Sequence, residues 1–341
     1  MPTDNDTAQG ARVTIRTVAA NAGVSVAAVS KVLRNAYGVS DALRQKVEAS
    51  IELLGYRPSV AARGMRGQTF TLGVLLVGID NPFLPSVYEG IESIAEAAGY
   101  KIMVGVGAAH ARKESQLIEQ MIDNRMDGLI LVATQISGRM LDRYARQIPI
   151  VIVGHHEPSA TSFDTVNSDD RLGAAMAVRA LHDKGYDDIA MVALPDPGNH
   201  PADVSPMREL GYRAAAKDLG LKDGGRVIYF PASEDPRDDA IRALLSKGTQ
   251  PRAVFCWSDL DAIRIINGAY QMGLSVPEDI AIIGYDNSPV AALPLINLAS
   301  MDQDGERLGI LSAELLLSRM AGRDKAEHVL VKPRLVPRGS F

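Results

Sequence analysis

From Leu72 onward the chain repeats one theme, a short apolar run followed by an amphipathic stretch. TLGVLLVGI, YKIMVGVG, DGLILVA, PIVIVG, IAMVAL, AVFCW and IAIIGY have the length and composition of buried strands. Segments such as SVYEGIESIAEAAG and ESQLIEQMIDNRM lie between them with helical spacing. That alternation predicts parallel sheets covered by crossover helices. Roughly 260 residues are more than one doubly wound sheet needs, so two such subdomains are expected. Ligands in such folds sit outside the carboxyl ends of strands, which places a site in a cleft between two facing sheets.

The 341 residues are 46% apolar, enough for a sizeable core. No run of ~20 apolar residues occurs, so no membrane span is expected. The opening MPTDNDTAQGAR is polar and acidic, without the basic start and apolar stretch of a secretion signal, so a cytoplasmic protein is expected. The single cysteine, Cys256, excludes an internal disulfide and a multi-thiolate metal site; within AVFCW it reads as a buried strand residue.

Charge is unevenly spread. Residues 11–68 hold nine basic and three acidic residues, a net of +6, whereas the whole chain carries -5. A small basic head on a large acidic body is the distribution of a polyanion-binding module joined to something else. Within the head, Thr14 can cap a first helix with apolar Ile15, Val18 and Ala19 at helical spacing. Gly23 can take the positive φ of a tight turn. Ser25 can cap a second helix striped by Val26, Val29, Val32 and Leu33. Ser40 can cap a third, with Leu43, Val47, Ile51 and Leu54 on one face. Periodicity alone leaves a generic three-helix bundle and a helix-turn-helix both open.

TIRTVAANAGVSVAAVSKVLRN followed by VSDALRQKVEASIELLGYRPSVAARGMR resembles the N-terminal signature of the LacI family along its full length. The resemblance continues through DNPF and EGIESIAEAAGY, NRMDGLIL, TVNSDDRLGAAMAV, GLSVPEDIAIIGYDN and PRLVPRGS, missing only the first dozen residues. It implies an N-terminal all-α helix-turn-helix domain at 12–58, a hinge helix at 59–69 and an α/β effector-binding and dimerisation core at 70–341. That core resembles periplasmic sugar-binding proteins, with two doubly wound parallel sheets. Its N-subdomain is expected at about 70–166 and 299–325, its C-subdomain at about 167–298 and 326–341.

The resemblance also implies roles for residues. Thr14, Ser25, Val26, Ala27, Ala28, Ser30, Lys31 and Arg34 fall where relatives meet operator DNA. Val26 and Ala27 lack hydrogen-bonding side chains and suit thymine methyls. Lys31, where arginine is common, can donate to guanine without arginine's planar fork. Thr17 departs from the usual aspartate, which is expected to alter local capping or a phosphate contact. Taken alone, RPSVAARGMRG reads as a linker; in relatives the matching stretch folds on DNA and inserts an apolar wedge into the minor groove. Ser59, Arg63 and Met65 are its expected cap, phosphate partner and wedge.

Ligand contacts are expected from Asn81, Phe83, His155, Arg208, Trp257, Ser258 and Asp286. A polyol needs paired donors and acceptors with a flat apolar face, and Trp257 is either that face or a core residue. Ser258 stands where asparagine is commoner. Asp259 is expected to cap the following helix, and Asp169-Asp170 to serve a helix dipole. His155 and His156, adjacent on a loop, diverge too far to share a metal. No GxGxxG, P-loop or GxSxG spacing is present, which disfavours a nicotinamide-dependent oxidoreductase or a hydrolase. A plain solute-binding receptor leaves the basic head unexplained. No leucine heptads follow LVPRGS, so a homodimer is expected. The resulting expectation is a cytoplasmic, nucleoid-associated repressor, not an enzyme. It needs no cofactor or metal, binds double-stranded operator DNA and is controlled by a small ligand, a sugar. The ligand's identity and the sign of its effect, induction or co-repression, stay open.

Overall fold

The structure is a computed structural model that describes residues 13–33, 36–57, 67–195, 203–221, 225–231 and 234–341. The chain divides into two units, Met1–Thr69 and Phe70–Phe341.

In the first unit, α1 (Ile15–Ala22), α2 (Val26–Leu33) and α3 (Asp41–Leu54) enclose Val18, Ala19, Ala22, Val29, Val32 and Val47. Each helix begins at a hydroxyl that accepts a backbone N–H otherwise left orphaned at a helix start. Thr14 Oγ1 accepts from Thr17 N (3.3 Å), Ser25 Oγ from Ala28 N (3.1 Å) and Ser40 Oγ from Leu43 N (3.3 Å). Thr17 returns the favour, its Oγ1 accepting from Thr14 N at 3.2 Å, so the residue in the aspartate position closes a capping box. Gly23, at φ 60°, turns α1 into the approach to α2. Buried Ser50 on α3 donates to Asn21 Oδ1 (2.8 Å) and Val18 O (3.3 Å), pinning α3 to α1.

The second unit holds two six-stranded sheets. Its strands are β1 (Thr71–Leu76), β2 (Lys101–Val106), β3 (Gly128–Val132), β4 (Ile150–Val153), β5 (Asp164–Ser168) and β6 (Ile189–Ala193). They continue as β7 (Arg226–Tyr229), β8 (Ala253–Cys256), β9 (Ala281–Tyr285), β10 (Ala299–Asp302), β11 (His328–Val331) and β12 (Arg334–Val336). The helices are α4 (Leu84–Ala97), α5 (Ala111–Asp123), α6 (Gly138–Ala145), α7 (Asp170–Asp183), α8 (Val204–Leu219), α9 (Glu234–Leu244), α10 (Asp259–Gln271) and α11 (Gly305–Met320).

One sheet runs β11-β5-β4-β3-β1-β2, all parallel. The other runs β12-β10-β9-β8-β6-β7, parallel except for β12, which pairs antiparallel with β10. The central strands are buried on both faces, which is why they read as unbroken apolar runs. Cys256 lies within β8, fully buried, and burial pushes its thiol pKa well up.

The chain crosses between the sheets between β5 and α7, between β10 and α11, and between β11 and β12. The expected subdomain limits therefore move. Residues 299–302, expected in the first lobe, pair with β9, and Ala299 and Met301 join the second lobe's core. Residues 328–331, expected in the second, pair with β5 of the first. Both are four-residue strands, and their pairing partners decide the sheet each joins.

Asp164 secures the second of these excursions. It is fully buried and accepts from Arg319, Arg323 and the backbone N–H of Glu327 (2.8 Å), tying α11 and the approach to β11 onto β5. Burial opposes its charge, but the two guanidiniums hold its carboxyl below the usual range. On the same lobe α4 and α11 meet backbone to backbone: a Cβ on Gly309 would stand 2.1 Å from the Val87 carbonyl oxygen. Gly309→Val should therefore destabilise the protein by about 1–3 kcal/mol through overpacking, read as a lowered Tm. An unchanged Tm would show that the helices separate freely.

Candidate functional site

On the first unit, Val29 and Val32 of α2 face the core, so the opposite face carries Ala27 and Lys31, both exposed and one turn apart. Val26, Ala28 and Ser30 are half-buried at its margins. Thr14 and Ser25 are exposed but spend their hydroxyls on capping. Arg34, Ser59, Arg63 and Met65 lie outside the described residues.

On the second unit, a polar chain gathers at the carboxyl ends of the strands. Asp286 and Asn287, immediately after β9, have φ of 110° and 48°, backbone that non-glycine residues adopt rarely and mainly where surrounding contacts enforce it. Asp286 is 6% exposed. Its Oδ1 accepts from Gln303 Nε2 (2.6 Å), its Oδ2 from Asn81 Nδ2 (3.4 Å), and Arg208 Nη1 lies 3.8 Å away. Asn81 follows β1, so this contact spans the two lobes. Its Oδ1 accepts from Phe83 N (2.9 Å), which sets the start of α4. Burial, with neighbouring Asp259 adding to it against the pull of Arg208, pushes the Asp286 pKa up to about 7.

Arg208, on α8, is 2% exposed. Its Nε donates to Asp170 Oδ1 (2.7 Å), its Nη1 to the Trp257 carbonyl, and its guanidinium lies 3.7 Å from the Tyr285 ring centroid. Asp170 also meets His156 Nε2 at 2.7 Å. Burial disfavours the Asp170 carboxylate, but Arg208 and His156 outweigh it and its pKa is lowered. Asn81, Phe83, Arg208, Trp257 and Asp286 thus fall into one connected assembly, with Gln303, Asp170 and His156 added to it. Gln303 carries no sequence signal of its own. Asp170 does, as a charge at a strand-to-helix junction, but the helix dipole accounts for such charges equally well.

One expectation changes, and two candidate contacts have structural partners. Ser258 is the cap of α10, accepting from Asp261 N (3.4 Å). Asp259 is not the cap: fully buried, it accepts from Ser288 N (2.7 Å) and Ser300 Oγ (2.5 Å), and burial raises its pKa to about 6. Trp257 donates its indole N–H to Asp261 (2.6 Å) and packs on the second lobe's core, so its structural role is occupied. His155 diverges from His156 as expected. It is buried with its Nδ1 3.8 Å from Asp203 and its ring tilted against Phe163.

A cavity of about 210 Å³ opens beside Asp286, between Phe83 and the β10–α11 crossover. A wider groove of about 600 Å³ runs between β11 and helices α7 and α8, with His156 and Met207 among its lining residues. Among the described residues no cluster of three or more metal-ligating side chains occurs, and no helix is long and apolar enough to cross a membrane.

Residues 14–59 match the family described as bacterial regulatory proteins, lacI family, and residues 178–341 match a periplasmic binding protein-like domain. The chain is 33% identical over 335 residues to the ribose operon repressor of Escherichia coli (strain K12), covering 96% of this chain and 99% of that one. It is 32% identical over 313 residues to catabolite control protein A of Priestia megaterium, covering 90% and 92%. Among solved structures it is similar to a transcriptional regulator CelR–cellobiose complex, with 26% identity, 97% and 100% coverage and a TM-score of 0.71. The fold also matches that of the lac repressor dimer bound to operator and the anti-inducer ONPF, with 23% identity, 97% and 99% coverage and a TM-score of 0.82. With a helix-turn-helix head, a two-lobed α/β core and near full-length similarity to a repressor at 33% identity, the chain belongs to the LacI family.

Proposed function

We propose that this protein is a sequence-specific transcriptional repressor, and not an enzyme, that binds a pseudo-palindromic operator as a homodimer in the cytoplasm. A small ligand, a sugar, bound between the lobes releases it. The observation that carries this reading is the bridge from Asn81 of one lobe to Asp286 of the other. A ligand whose hydroxyls compete for Asp286 changes what holds the lobes together, and lobe geometry is the two-state element through which the DNA-binding unit can be biased. The expected homodimer is supported by β2, an edge strand that leaves Met103 and Val104 about half exposed.

In this reading α2 enters the major groove with Ala27 and Lys31 toward the bases. Ligand and operator then weaken each other by the same factor. Fluorescence anisotropy on symmetric duplexes from regions flanking the gene, against random duplex at physiological salt, tests it. Specific binding that sugars weaken supports the proposal; equal affinity for all duplexes overturns it. Lys31→Ala should cost about 1–3 kcal/mol on the specific duplex and far less on random DNA. Equal losses on both would reduce Lys31 to a phosphate contact. Titration of the ligand in the same assay gives the sign of the coupling.

A further inference from the structure

We propose that His156 latches the two lobes through Asp170, a positioning residue that sets the balance between the lobes' arrangements; this rests on the lobe-based control proposed above. His156 Nε2 meets Asp170 Oδ2 at 2.7 Å, whereas the Asn81–Asp286 contact that also spans the lobes is 3.4 Å long. The shorter, charge-assisted contact is the stronger of the two. Together they are the ends of one chain of contacts, His156–Asp170–Arg208–Asp286–Asn81. That chain starts and finishes in the first lobe and passes through the second.

Backbone places both partners. His156 follows β4 of the first lobe, where Gly154 turns the chain at φ 77°. Asn167 on β5 clips the residue between them, accepting from His155 N (2.7 Å) and donating to His155 O (2.9 Å). Asp170 opens α7, whose apolar face joins the second lobe's core. The helix dipole explains an acidic residue at that position but not its burial. Asp169 already caps the helix, accepting from Leu172 N (3.0 Å), while Asp170 gives Oδ1 to Arg208 and Oδ2 to His156. A carboxylate only accepts, so His156 carries its proton on Nε2.

This bond can open without stranding a charge. Asp170, the Trp257 carbonyl and the Tyr285 ring, which hold Arg208, all belong to the second lobe. Asp170 and Arg208 therefore move as one body with that lobe. A separation of about 1 Å at His156 ends a bond of this length, yet Asp170 keeps its guanidinium. Breaking a buried ion pair is costly chiefly when one partner is left uncompensated, and here neither is. The imidazole lines the wide groove beside β11, so its released N–H has room to meet water. A ligand that draws on Arg208 or Asp286, 3.8 Å apart, pulls on the same Asp170 and so on the latch.

Removing one charge-assisted bond should change the ratio of the two lobe arrangements by about ten-fold or more. Spin labels on the full-length protein at Lys113→Cys on α5 and Lys217→Cys on α8 report it as a distance distribution. Both positions are exposed and the native Cys256 is buried, so labelling is confined to the introduced thiols. Dilution with excess unlabelled protein restricts the measurement to distances within one protomer. His156→Leu, which keeps bulk without a donor, should shift or split the distribution, and His156→Ala serves the same comparison where leucine is not accommodated. His156→Gln, whose amide can donate to the same carboxylate, should restore the wild-type distances; a purely packing role would not be rescued in this way. An unchanged distribution in the leucine and alanine variants, or a shift that glutamine does not reverse, overturns the proposal. So does a shift from Asn81→Ala as large as that from His156→Leu. Unmoved distances in preparations that still bind a specific operator would show that the latch has failed and the repressor reading has not.

Discussion

Arg208→Ala is expected to lower the unfolding free energy by about 3–5 kcal/mol, the largest loss of any single substitution considered for this protein. The reason is what the side chain leaves behind. Asp170 is 1% exposed and loses the guanidinium at 2.7 Å, keeping His156. The Trp257 carbonyl loses its donor and the Tyr285 ring its cation. Asp286 suffers less, because its pKa is already up to about 7 and it can escape by taking a proton. Calorimetric or denaturant unfolding near neutral pH measures the effect, and the two-lobed core calls for a check that its unfolding is two-state. Arg208→Lys should recover only part of the loss, since one ammonium cannot serve Asp170 and the carbonyl with the same planar fork. A deficit below about 1 kcal/mol for the alanine variant would mean the buried cluster is already wet. Sequence reasoning treats Arg208 as a ligand contact. Its burial makes it a structural member first.

Asp286→Asn should act in the opposite direction and depend on pH. An aspartate in the unfolded chain ionises near pH 4. In the fold Asp286 does so only near 7, because burial, and then Asp259, disfavour its charge. Between those values the unfolded chain has released a proton that the native state retains, so this group lowers stability as pH rises across the window. Asparagine has no proton to release. The variant should match the wild type below about pH 4 and exceed it by roughly 2–4 kcal/mol above about pH 7. Removing that charge should also lower the Asp259 pKa, which adds to the gain. Urea unfolding at a series of pH values reads the difference directly; a variant less stable than the wild type at pH 8 would contradict it. The same variant should lose the rise in Tm that a bound sugar confers, because an acceptor for its hydroxyls has become in part a donor. Greater stability with impaired binding is the expected signature of a charge retained for function.

Most of the elements could be read from the sequence because their causes are local. β1, β3, β4, β6, β8 and β9 are buried apolar runs, and α1, α2 and α3 begin at Thr14, Ser25 and Ser40, each hydroxyl accepting an N–H three residues on. Arg208 and Asp286 were likewise recognisable, through their resemblance to family positions. What local pattern cannot carry is partnership across distance. The Asn81–Asp286 contact joins residues 205 apart and the Arg208–Asp170 pair residues 38 apart, and no periodicity records either. Ser258 took the capping role expected of Asp259 for the same reason. Either side chain can cap α10, and the fold settled the matter by placing Ser300 and the Ser288 N–H against Asp259. The lobe memberships of β10 and β11 were decided in the same way. Short strands carry too few residues to specify a neighbour, so their sheet is chosen by whichever strand the chain's crossovers bring within hydrogen-bonding reach.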